Sequence, residues 1–179
     1  MKGRSVLVAM LFAPMLALAS VGLSTPTFER PSTPIEGAFG YKLGDVFTPD
    51  ANAVEVTSSL ITEKALPGAL YRVTPRADLR VPPFQSYFIL RTLKTHQIAA
   101  IYAAASPDCM SEDGAAQKLS RQLAHEYGES ATLPLQIHEG ARQIVLQCTS
   151  QVLKLVYADV DLAYTYAREA AEIEASKKP

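Results

Sequence analysis

The residues of this 179-residue chain that could do chemistry are three histidines, two cysteines, a few neighbouring carboxylates and a tyrosine cluster. A zinc centre needs convergent ligands, often His-x-x-x-His on one helical face. His125-Glu126-Tyr127-Gly128-Glu129 opens like a zinc-protease motif but places Glu129 where the second histidine must stand. His96, His125 and His138 therefore read as surface histidines. A nucleophilic serine at a strand-to-helix elbow would show Gly-x-Ser-x-Gly, which the sequence lacks. Gly37, Gly40 and Gly44 are spaced for turns around a first strand, not for a dinucleotide or phosphate loop. Asp159 with Asp161, and Glu112 with Asp113, could serve as paired carboxylates in glycoside hydrolysis. Both pairs stand at helix starts, where capping and the helix dipole account for them. Tyr157, Tyr164 and Tyr166 gather at the junction of the last strand and the last helix. With His125 and His138 they form the candidate surface, as a carbohydrate or peptide platform or as packing between sheet and helix. No complete catalytic set emerges, and no cofactor or metal is expected.

Cys109 and Cys148 need a compartment before they can be read. The chain opens with Lys2 and Arg4, followed by an uncharged apolar run from Val6 to Ala19 that contains Pro14. Ala17-Leu18-Ala19 supplies a small-x-small cleavage pattern, so residues 1–19 are expected to be a cleaved signal peptide. The run is shorter than the roughly 20 residues of a spanning helix, so no membrane span is expected after cleavage. In an oxidising compartment two cysteines have one intramolecular pairing, and the absence of Cys-x-x-Cys argues against a redox thiol. A Cys109–Cys148 disulfide and a periplasmic or secreted location are the expectations.

These residues must be positioned by a folded body, and the composition permits one. At 48% apolar and 20% charged the chain can bury a core, and its net charge of −1 argues against a nucleic-acid partner. Residues 20–37 carry Pro26, Pro31 and Pro34 and read as an extended leader to a single domain over 38–179. Phe39 and Tyr41 are expected on one face of a first strand. Tyr87 to Leu93 and Ile98 to Ala104 form a hairpin, with Phe88 and Leu90 on one face and Tyr87, Ile89 and Leu93 on the other. Apolar residues on both faces make it central in its sheet. Ala116, Leu119, Leu123 and Tyr127 recur at helical spacing, predicting a helix over 111–127 with Ser111 as N-cap and Gly128 as its stop. A short strand over 135–137 and a second hairpin follow, with Ile144, Leu146 and Cys148 sharing a face with Leu153, Leu155 and Tyr157. Residues 161–176 form a second helix with Leu162, Tyr166, Ala170 and Ile173 inward and Glu169 outward. The fold class is α+β: an antiparallel sheet built from β-hairpins, with both amphipathic helices packed on one face.

Phe39-Gly40-Tyr41-Lys42-Leu43-Gly44-Asp45, Cys109 ahead of Leu119, Leu123 and Tyr127-Gly128, and Val145-Leu146-x-Cys148 with Leu153-x-Leu155-x-Tyr157-x-Asp159 carry a resemblance. The chain resembles small exported, periplasmic bacterial α+β proteins with one disulfide. It is similar in size and context to small α+β lipoproteins of outer-membrane assembly, from which it departs by lacking a lipidation cysteine. The functional expectation is an exported, non-catalytic domain that binds an envelope protein or other envelope component. The alternatives are a small exported hydrolase or inhibitor-type protein with a site assembled from distant residues, or a carrier of a small apolar ligand.

Overall fold

The computed structural model describes residues 33–57, 65–106, 114–149 and 152–177. The expected signal peptide, most of the proline-rich leader, Ser111 and Cys109 lie outside the described residues. Proline and glycine keep the first described stretch from forming long strands. Two short strands, β1 (Gly37–Ala38) and β2 (Tyr41–Lys42), pair across a tight turn. A Cβ on Gly37 would sit 2.1 Å from the Tyr41 carbonyl oxygen, so only glycine allows this approach.

Alternating apolar residues then build one antiparallel sheet of seven strands. These are β3 (Val54–Glu55), β4 (Leu70–Val73), β5 (Ser86–Arg91), β6 (Ile98–Ala105), β7 (Leu135–Glu139), β8 (Arg142–Cys148) and β9 (Leu153–Asp159). Their spatial order is β3-β4-β5-β6-β9-β8-β7. Two meanders therefore meet at the β6–β9 pair, with Ile101 opposite Tyr157 and Ala103 opposite Leu155. The chain reaches the second meander through α1 (Ala115–Tyr127) and ends in α2 (Val160–Ser176).

The α+β class is as the residue pattern predicts, but the helices cover opposite faces rather than one. On the first face Tyr87, Ile89, Ile101, Ile144, Leu146, Leu153 and Leu155 pack with Ala116, Leu119 and Leu123 of α1. Ile35, Phe39, Leu43 and Phe47 complete this core, so packing begins inside the proline-rich stretch. On the second face Leu70, Phe88, Leu90, Ala100 and Ala158 pack with Tyr102, Val156 and Tyr166 of α2. The reason lies in the strands' two periods. Both faces of β5, β6 and β9 carry apolar side chains, and each needs a cover. No residue separates β9 from α2, and Asp159 caps the helix by accepting from Leu162 N at 3.0 Å.

Register follows the alternation closely in β8 and β9, where Ile144 faces Tyr157 and Leu146 faces Leu155. Ile144, Leu146 and Leu153 are fully buried. Truncating one such side chain to alanine costs about 2–5 kcal/mol. The β5–β6 register shifts between Leu90 and Arg91, where Ala99 of β6 is the extra residue, so Ile98 shares a face with Ile101. Leu93 lies beyond the end of β5 and joins the α2 cluster instead of lying with Tyr87 and Ile89. Phe39 is not a strand residue either. It sits in the β1–β2 turn at φ 57°, a conformation that aromatic residues seldom adopt. Edge-on contacts with Tyr87, at 4.9 Å between centroids, and with Phe84 and Tyr157 hold it there. The stripe of α1 is as predicted, and Gly128 ends that helix in the left-handed region. No helix among the described residues is long and apolar enough to cross a membrane.

Candidate functional site

The tyrosine cluster does not form. Tyr157 points into the α1-side core, where burial raises its hydroxyl pKa well above the ordinary phenol value. Tyr166 lies on the opposite face, where its hydroxyl accepts from Leu66 N at 3.3 Å. Its pKa is also raised, chiefly by burial and against the lowering effect of that bond. Tyr164 is 66% exposed on α2. The sequence places the three close together, but the sheet lies between Tyr157 and Tyr166. His125 is exposed in the last turn of α1 and His138 is exposed on β7. No group of three or more His, Cys, Asp or Glu side chains that could hold a metal ion occurs among the described residues. Cys148 ends β8 and packs against the α1-side core, while its expected partner Cys109 lies outside the described residues.

What the structure does assemble is centred on Arg91. Arg91 is 8% exposed. A buried guanidinium is tolerated only when its donors are satisfied. Nε donates to the Gly68 carbonyl at 2.8 Å, Nη1 to the Phe47 carbonyl at 2.9 Å and Nη2 to the Tyr71 hydroxyl at 3.0 Å. Arg91 follows Tyr87 and Ile89 at two-residue spacing and so faces the same core, and its position in an otherwise apolar strand was the available signal.

The Phe47 carbonyl belongs to a segment that Arg91 helps to fix. Gly44 N donates to Ile98 O at 2.9 Å, Ile98 N to Asp45 O at 2.8 Å and Phe47 N to His96 O at 2.8 Å. The Gln97 side chain adds a bond to Gly44 O at 3.2 Å. Residues 44–47 are thereby laced to the start of β6. Between this segment and β2 lies a cleft of about 300 Å³. Phe47, Val73 and Ile98 form its buried floor, Tyr41 its half-buried wall, and Asp45, Val46, Thr48 and Asp50 its exposed rim. Burial and then the nearby charge of Asp50 raise the Tyr41 pKa, so its phenol stays protonated at neutral pH. The turn residues around Gly44-Asp45 were legible as a turn, but not as a wall.

Two further features lie at the sheet's margins. Glu169, expected outward, is the one fully buried residue of α2, and its Oε2 accepts from Leu93 N at 2.6 Å. Glu172 pairs with Lys94 at 2.8 Å beside it. Together they latch α2 to the β5–β6 turn. At the far edge, β7 pairs only with β8 among the described residues. Glu139 and Arg142 close a two-residue turn, so the ladder directs Leu135, Ile137 and Glu139 toward β8. The N–H and C=O groups of Gln136 and His138 face away from the sheet. No protein-family model, no curated protein and no solved structure matches this chain.

Proposed function

We propose that this chain is an exported, non-catalytic domain that binds an extended segment of an envelope protein along the β7 edge. The observation that supports this is the asymmetry of the sheet's two edges. β3 offers two residues, too few for a ladder, whereas β7 offers five. An added strand would gain main-chain bonds to Gln136 and His138, while neighbouring side chains supply selectivity. Export rests on the charged start, apolar run and small-x-small pattern of residues 1–19. The Cys109–Cys148 bridge belongs to the same reading of an oxidising compartment.

The test uses proline, which removes an N–H without adding charge. Gln136→Pro and His138→Pro each delete an outward donor and leave the β7–β8 ladder intact. Immobilised parent protein should retain a specific partner from envelope extract, and both variants should lose it with unchanged circular dichroism. Retention of the same partner by folded proline variants would defeat the edge as the binding surface.

A further inference from the structure

We propose that the cleft between β2 and residues 44–50 is a binding site for a small organic cation, an ammonium or guanidinium head on a short apolar stem. The proposal stands apart from the β7 edge. Its basis is the pairing of an apolar, aromatic floor with an acidic rim in a preformed wall. Phe47, Val73 and Ile98 are 7%, 5% and 3% exposed, so the floor is a continuation of the core. Backbone bonds and Arg91 hold the wall in place without a ligand, which lowers the ordering cost of binding. The volume of about 300 Å³ is at the small end of ligand sites and suits one head group with a few carbons.

Charge decides the class of ligand. The Asp45 carboxylate makes no hydrogen bond or ion pair among the described residues, and Asp50 uses one oxygen on Asn52 N at 2.8 Å. Lys42, the cation on the same rim, is engaged by Glu36 at 3.3 Å. An anion would meet two carboxylates, and a neutral apolar group would desolvate them without compensation. A cation pairs with both and places its charge near the Tyr41 and Phe47 rings. The head group could come from a free amine or from a basic side chain of a partner.

Amide chemical-shift titration of the purified protein separates these sources. The probes are agmatine, the blocked tripeptide acetyl-Gly-Arg-Gly-amide and a neutral butylamide. Either cationic probe should give saturable shifts confined to residues 40–50, 73 and 98. The double variant Asp45→Asn/Asp50→Asn should weaken them roughly tenfold, because both positions are exposed and asparagine keeps the Asn52 bond. Binding of agmatine assigns a free amine, and binding of the tripeptide alone assigns a basic side chain. Absence of saturable shifts with both cations up to about 10 mM would overturn the proposal. Equal binding of the neutral butylamide by the unaltered protein, or undiminished binding by the double variant, would do the same.

Discussion

The guanidinium of Arg91 stands over the ring of Tyr71, its Cζ 4.9 Å from the centroid, while Nη2 bonds the hydroxyl of the same residue. No carboxylate appears among its hydrogen-bond partners, which are two carbonyls and a phenol. The charge is held by dipoles and by the aromatic face. This one side chain joins the Gly68 turn, the Phe47 segment and the sheet, three parts of the chain far apart in sequence.

Arg91→Met should therefore leave the buried Phe47 carbonyl, the half-buried Gly68 carbonyl and a phenol without this partner, and lower stability by about 2–4 kcal/mol. Arg91→Lys keeps the charge but cannot reach three acceptors in a plane, so it should recover only part of the loss. Tyr71→Phe removes one bond and should cost about 1 kcal/mol. Urea unfolding of the three variants checks the order. A midpoint for Arg91→Met equal to that of the parent would contradict the role.

Glu169 and Glu172 make a second, more graded test. The Glu169 carboxylate is buried and satisfies the Leu93 amide. Glu169→Ala should cost about 1–3 kcal/mol, and Glu169→Gln less because an acceptor remains. The Lys94–Glu172 pair is exposed, and the pairing raises the Lys94 pKa and lowers that of Glu172. Solvent screening makes such a pair weak, so Lys94→Ala should leave the unfolding midpoint unchanged. Equal losses in Glu169→Ala and Lys94→Ala would show that the latch is not centred on Glu169.

These two residues also show where the sequence was legible and where it was not. Alternation in β8 and β9 and the stripe of α1 predicted inward residues correctly, because each of those elements presents a regular apolar period to one core. In β5 the alternation runs through Arg91, whose charge hid its inward place beside Tyr87 and Ile89, while Leu93 lies past the strand's end and turns to the other face. The charge of Glu169 reads as outward, although it follows Leu162 and Tyr166 at seven and three positions and so shares their stripe. The apolar second face of β5 and β6 was visible in Phe88 and Leu90. It already implied a second cover, and placing both helices on one face left it without one. The cleft depends on hydrogen bonds between residues about 50 positions apart, which no local pattern encodes.

Tyr102 provides a pH test. Its hydroxyl is pushed up to about 12 from 10.0, first by burial and then by Tyr166. A phenol whose folded pKa is raised contributes stability that is complete below its unfolded pKa. That contribution falls as pH rises from about 10 toward about 12, because the unfolded chain ionises first. The loss should be on the order of 2 kcal/mol, and Tyr102→Phe should reduce it. Burial shifts Tyr157 in the same direction, so the variant should flatten the alkaline slope only in part. Unfolding midpoints measured between pH 8 and about 12 decide the matter. Identical slopes for parent and variant would mean that Tyr102 ionises no later in the folded state than in the unfolded one.

The proposed Cys109–Cys148 bridge makes the last prediction, since it bears on both stability and compartment. Cys148 packs against the α1-side core at the end of β8, opposite Leu153. A cross-link from there to the stretch ahead of α1 would close the loop between residues 109 and 148 and shrink the unfolded ensemble. In protein recovered under oxidising conditions, Cys148→Ala should lower stability by about 2–5 kcal/mol, through the lost cross-link and the smaller side chain. Reducing the parent should reproduce most of that loss, because the thiol still fills its place in the packing. Alkylation followed by mass measurement supplies the chemical readout: the parent should resist modification until a reductant is added. Ready alkylation of both sulfurs in native, unreduced protein would remove the bridge, and with it the main internal support for an oxidising destination.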